Sequence, residues 1–239
     1  MDTARSPTSP RKQLALPSTH KPIGLAELEA PLDYSFYNMT SLQDVIYWEP
    51  RQGFLPPKRL YVEEEVPDNE ARVGAKAANP ILPKKSPSTN QKLSKSKCLK
   101  LNNNCLSEIG DIKEVASGLF EDVDSVAWLD LSFNELTKVD DILLQFPNLQ
   151  ILYLHGNQFS NMAEIEKLAK IPTLKKLSLH GNPIENEKGY KYIVMSMLPG
   201  IQTLDFSRIT KADRRTAATL EGMNKNLKKR RGKPKTEDD

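Results

Sequence analysis

The chain has 239 residues, a net charge of +3 and 38% hydrophobic residues, too few of the last for a protein packed from end to end. With 17 prolines it reads as one core flanked by unfolded stretches, and so small a net charge names no partner. Two cysteines, Cys98 and Cys105, with no CxxC pair, exclude a disulfide framework and fit a reducing cytosolic or nuclear compartment.

Residues 1–30 read as a disordered N-terminal segment of Ser-Pro pairs and scattered positive charge. Met1 to Leu16 holds no apolar run, so no ordinary signal peptide is expected, and Asn38-Met39-Thr40 is then a chance match to the glycosylation pattern. No stretch approaches the roughly 18 apolar residues of a membrane helix. Residues 31–60 are more apolar and read as a short, partly helical segment, with Leu42, Val45 and Ile46 at i, i+3, i+4 spacing on one helical face. Residues 61–97 turn to Glu, Lys, Pro, Ser and Asn, a polar linker or insertion.

From Cys98 to Ile184 the chain repeats itself. LxLxxNx followed by an apolar residue occurs at Leu99–Leu106, Leu129–Leu136, Leu152–Phe159 and Leu177–Ile184. The last three copies carry an apolar residue three places upstream (Val126, Leu149, Leu174), where the first has Ser96. Asn104, Asn134, Asn157 and Asn182 follow one another at intervals of 30, 23 and 25 residues. Two of these lie inside the roughly 20–29-residue period of leucine-rich repeats.

The residue types follow from the geometry. Alternate leucines put their side chains on one side of a short strand, into the core of a solenoid. The chain then turns sharply, and an inward asparagine supplies both a donor and an acceptor to the buried backbone. The four asparagines therefore form a structural ladder. Two return segments, Ile109 to Phe120 and Met162 to Ile171, have helical apolar spacing, and Phe146-Pro147 and Ile171-Pro172 stop the chain before the next strand. The expected fold is α/β: a short leucine-rich-repeat solenoid with a parallel concave sheet, a helical convex side and disordered termini.

Residues 185–223 read as a C-terminal cap and helix, similar to the cap of the phosphatase-regulator and dynein-light-chain type. Tyr190, Ile193 and Val194 would cover the open end, while Leu204 and Phe206 supply a last strand. Residues 224–239 read as a basic-then-acidic tail, with Lys228, Lys229, Arg230 and Arg231 at its centre. It is either a solvated end or a contact for an acidic polymer or the import machinery.

Pro31-Leu-Asp-Tyr-Ser-Phe36, Trp128-Leu-Asp-Leu-Ser-Phe-Asn134, Tyr153-Leu-His-Gly-Asn157 and the stretch from Phe206 to Arg214 together resemble the leucine-rich repeat-containing protein 51 family. The resemblance spans about Pro31 to Met223, with Val62–Lys92 standing out as an insertion. It implies a cytoplasmic, non-enzymatic protein, and a place in the axoneme of motile cilia is the expectation that goes with the resemblance.

Side chains between the leucines face the concave side. Trp128, Asp130, Ile151, Tyr153, His155, Lys176, Ser178 and His180 are the candidate partner-binding residues, with Trp128, Ile151 and Tyr153 in one exposed patch. Either a protein partner, axonemal or microtubule-associated, occupies this patch, or residues of the N-terminal segment or the 62–97 stretch fold back over it. His155 and His180 sit in equivalent places and their rings can approach, but a metal site would need more ligands, Asp130 being the nearest, and none is expected. The glycines after them serve backbone geometry.

No catalytic triad, phosphate loop or glycine-rich strand–turn–helix stretch for a methyl-donor cofactor is present, so neither enzymatic activity nor a cofactor is expected. No membrane, small-molecule or specific nucleic-acid partner is expected, since no base-stacking surface accompanies the basic run. The leading reading is an adaptor or scaffold. The alternatives are a regulatory subunit targeting a phosphatase or other enzyme, and a nuclear protein of an RNA-processing complex.

Overall fold

The computed structural model describes residues 29–53 and 93–231, with side chains up to Met223. Seven short strands form one sheet in the order β1 to β7, each hydrogen-bonded only to its neighbours in sequence. β1 (Leu32–Asp33), β2 (Cys98–Lys100), β3 (Trp128–Asp130), β4 (Ile151–Tyr153), β5 (Lys176–Ser178) and β6 (Thr203–Leu204) run parallel. β7 (Ser207–Arg208) turns back antiparallel to β6. The register places Leu99, Leu129, Leu152, Leu177 and Leu204 side by side. These five leucines, with Leu101, Leu131, Leu154 and Leu179 two residues beyond the first four, are buried in a single core running from Tyr34 to Ala217. Stacking thus buries leucine rows that no single repeat could hide.

The return segments are short and tightly wound. α1 (Ile112–Ser117) and α2 (Met162–Glu166) are the α-helical ones. 3-10 turns form the rest, at Val123–Ser125, Asp141–Gln145, Lys167–Lys170 and Pro183–Asn186. The convex side is therefore less α-helical than expected, because so few residues are available to return that the tighter turn fits better. Asp122, Asp140 and Asn161 cap these segments by accepting a backbone N–H two residues on.

The described part of the 31–60 segment, residues 31–53, holds a strand as well as a short helix. It opens with β1, paired Leu32 to Leu99, so it forms a further turn of the solenoid. Its helix, Leu42–Tyr47, is 3-10 and is started by a capping box in which Ser41 accepts from Gln43 N and Asp44 accepts from Ser41 N. In a 3-10 turn residues three apart align, so Leu42 and Val45 are buried while Ile46 is exposed. Tyr34, Tyr37 and Met39 complete this end of the core.

At the other end α3 (Tyr190–Met197) closes the core with Tyr190, Val194 and Met195, and Ile193 is left half-buried. α4 (Lys211–Arg231) packs on α3. The Arg214 guanidinium fixes the crossing, donating to the carbonyls of Met195 (2.7 Å), Leu198 (3.3 Å) and Ile201. These carbonyls lie at and beyond the C-terminus of α3, where a cation is favoured. The backbone of α4 runs on to Arg231 and so includes Lys228, Lys229, Arg230 and Arg231. Residues 1–28, 54–92 and 232–239, and with them the expected disorder and most of the linker, lie outside the described residues. Among the described residues no helix is long and apolar enough to cross a membrane.

Candidate protein-binding face

The asparagine ladder holds the turns that end each strand. The side-chain oxygen of Asn134 accepts from Leu106 N (3.1 Å), and its nitrogen donates to the carbonyls of Leu101 and Leu131, both at 3.0 Å. Asn157 repeats this with Leu136 N, Leu131 O and Leu154 O, and Asn182 with Phe159 N, Leu154 O and Leu179 O. Asn104 reaches into the N-terminal turn, accepting from Tyr37 N and Met39 N and donating to Tyr34 O and Leu101 O. Each amide thus ties its own turn to the previous one, and all four are buried.

One residue before each of the four ladder positions, the backbone takes a positive φ, at Asn103 (57°), Phe133 (52°), Gly156 (68°) and Gly181 (72°). Gly156 has a second reason to be glycine. A Cβ there would lie 2.6 Å from Phe133 Cδ1, because the phenylalanine ring lies across it. The turn therefore throws Phe133 outward, half exposed, onto the edge of the concave face.

Six rings meet on that face. Trp128 and Tyr153 pack edge to face at 5.7 Å, Tyr153 meets Phe206 at 5.2 Å, and His155 stacks on His180 at 4.6 Å with an interplanar angle of 11°. Phe206 also stands edge-on to His155 and His180, and Phe133 to His155. Phe206 is the most exposed of them at 58%. Its backbone φ of 60° puts it in the turn between β6 and β7, not in the last strand, so the ring swings over the concave sheet. Only Leu204 joins the core as expected.

Beneath the rings lie the small residues. Ser178 is fully buried and Asp130 nearly so, contrary to their expected exposure. Alternation does point both at the concave side, but short side chains end below the level of the neighbouring rings. Ser178 Oγ is 2.8 Å from His155 Nδ1, and Asp130 accepts both the N–H (3.1 Å) and the hydroxyl (2.6 Å) of Ser132. Trp128, Ile151, Tyr153, His155 and His180 are half-buried and Lys176 is exposed. Covering of the face by the N-terminal segment or the 62–97 stretch concerns residues that are largely outside the described ones.

The face is partly dry. Burial, and then the adjacent His180, hold His155 below the ordinary histidine pKa, so its neutral form prevails near pH 7. Burial first, then the nearby Asp130, push the Tyr153 phenol above its usual range. The Trp128 indole N–H is enclosed with no acceptor. Burial pushes the Cys98 thiol up to about 12, which keeps it protonated and unreactive.

Sequence reasoning missed Phe206 and Phe133 as face residues, and missed β1. A signal for β1 was present: Leu32-Asp-Tyr-Ser-Phe36 repeats Leu129-Asp-Leu-Ser-Phe133. The Asp33–Ser35 hydrogen bonds of 3.0 and 2.6 Å match those of Asp130–Ser132, and Phe36, like Phe133, has a positive φ and is exposed. Phe206 carried no such signal, since its turn belongs to the cap.

A leucine-rich repeat family model matches residues 120–233. The chain is 43% identical over 208 residues to leucine-rich repeat-containing protein 51 of Macaca mulatta, covering 87% of this chain and 93% of the macaque protein. It is 30% identical over 120 residues to the U2 small nuclear ribonucleoprotein A' of Candida albicans, covering 41% of this chain and 52% of that protein. Among solved structures it is similar to a chain of the Drosophila melanogaster SNF/U2A' complex, with a TM-score of 0.48 and 22% identity over 56% of this chain and 75% of that one.

Proposed function

We propose a function on the premise that the chain belongs to the leucine-rich repeat-containing protein 51 family: it is a non-enzymatic adaptor that holds a protein partner on the ring-lined part of its concave sheet. The repeats make a protein-interaction module, and the observation that carries the reading is the ring cluster. Phe133 and Phe206 stand half or more exposed beside Trp128 and Tyr153, which is the composition of an interface centre. A cytoplasmic setting at the axoneme of motile cilia belongs to the same proposal and is supported by the family resemblance.

The test is affinity purification of the tagged full chain from ciliated tissue, beside Phe133→Ala/Phe206→Ala. Both rings are exposed, so the variant should keep its melting temperature. Axonemal proteins retained by the wild type should be lost by the variant. Equal recovery by both would overturn the assignment of the face. A phosphatase or other catalytic subunit recovered in equal amounts would turn the adaptor into an enzyme-targeting subunit. The match to U2 small nuclear ribonucleoprotein A' favours a second reading, a place in a nuclear RNA-processing complex. Ribonuclease-sensitive recovery would support it.

A further inference from the structure

The charged side chains of the concave sheet differ in exposure: those of Asp130 and Asp205 are buried, whereas those of Lys176 and Arg208 are exposed. Its acids are engaged within the chain. Asp33 pairs with Lys100 at 3.4 Å, and Asp130 holds Ser132. Asp205 accepts from Leu179 N (2.7 Å), His180 N (3.0 Å) and the Tyr190 hydroxyl (3.1 Å). At the strand ends Glu185 accepts from Gly181 N. Two bases have no such partner among the described residues: there the exposed side chains of Lys176 and Arg208 make neither a salt bridge nor a hydrogen bond.

The register says where these bases stand. Lys176 is opposite Thr203, which is opposite Arg208, and directly paired residues project from the same face of a sheet. The same row runs back through Ile151 and Trp128 to Cys98. Along it the surface is apolar for the first half and basic for the second. With strands about 4.8 Å apart, the backbones of Lys176 and Arg208 stand roughly 10 Å from each other, one and three strands beyond that of Tyr153.

We propose that the segment seated on this face is acidic: an Asp- or Glu-bearing stretch of the partner protein with an apolar anchor beside it. The anchor enters the rings around Tyr153 and Phe206, and the carboxylates meet Lys176 and Arg208. Arg208 offers a planar two-pronged donor and Lys176 a point charge, so both contacts are charge-assisted. The inference rests on the concave-face reading above and adds the sign of the partner's charge. Such charges chiefly set encounter rate and partner choice, and salt weakens them.

A library of random linear peptides displayed on phage, selected against the full chain, tests this. Peptides enriched by the wild type should carry Asp or Glu near an aromatic or large aliphatic residue. Their affinity, read by fluorescence anisotropy, should fall about tenfold or more with Lys176→Glu/Arg208→Glu and weaken as salt is raised. The charge-reversed variant should itself select basic peptides. Enriched peptides lost with Phe206→Ala but free of acidic bias, and held equally by the charge-reversed variant, would overturn the acidic partner and leave the face intact. Peptides held unchanged by both variants would overturn the acidic partner and the face together.

Discussion

At the N-terminal end the buried backbone of the last turn meets a side-chain amide, whereas at the C-terminal end it meets a carboxylate. Asn104 both accepts, from Tyr37 N and Met39 N, and donates, to Tyr34 O and Leu101 O. Asp205 only accepts, from Leu179 N, His180 N and the Tyr190 hydroxyl. The first end is built by repetition, since Leu32–Phe36 copies a repeat and presents carbonyls as well as N–H groups. The second is built by replacement, since a hairpin and two helices stop the repeat, and the hairpin's Asp205 meets only donors: two N–H groups of the last repeat and the hydroxyl of Tyr190 on α3. The set of backbone groups left over by each neighbour decides which side chain serves.

That contrast is open to a direct exchange of side chains. Asn104→Asp should be the most damaging substitution, costing about 3 kcal/mol or more, because a buried carboxylate would face two carbonyl oxygens with no proton to offer. Urea denaturation of the full chain reads this, and a loss below about 1 kcal/mol would mean that the N-terminal turn is not held through Asn104. Asp205→Asn should cost at most about 1 kcal/mol, since the amide oxygen still accepts the two N–H groups and its nitrogen can donate to Tyr190. If the two variants lose equal stability, the division into an amide end and a carboxylate end fails.

The smallest effect separates the ends by pH. His155, near the C-terminal end, has a pKa lowered by burial and by His180. The unfolded chain therefore binds a proton more readily than the fold does. The stability this group contributes is present above the ordinary histidine pKa and is lost as pH falls through the lower folded value. Melting temperature should drop slightly between about pH 7 and about pH 5, and His155→Gln should reduce that drop. A drop that is unchanged in the variant would place the titration elsewhere.

Much of this organisation is legible in the sequence, and the limits are physical. The leucine rows and the asparagine ladder can be read because one geometry recurs and each position requires one kind of side chain. β1 escapes because Tyr34 and Tyr37 stand where the other repeats have leucine and asparagine, so the pattern survives only as Leu32, Asp33, Ser35 and Phe36. Exposure along the concave strands is misread at Asp130 and Ser178 because alternation fixes the side a residue faces, not the height of its neighbours. Phe206 is misplaced because a left-handed turn at a non-glycine residue leaves no compositional trace.

The pairing of β1 with β2 has a consequence for how this protein can change. Asp33 and Lys100 face each other although they are 67 residues apart in sequence. Bringing the ends of a loop together costs entropy that grows only with the logarithm of its length, about 0.6 kcal/mol for each doubling. The connection between these strands can therefore be halved, doubled or given a new module while the first turn keeps its register. The same insertion between β3 and β4 would have to fit within a return segment that packs against both neighbours. Length is thus nearly neutral at this junction, and additions to the molecule should accumulate there.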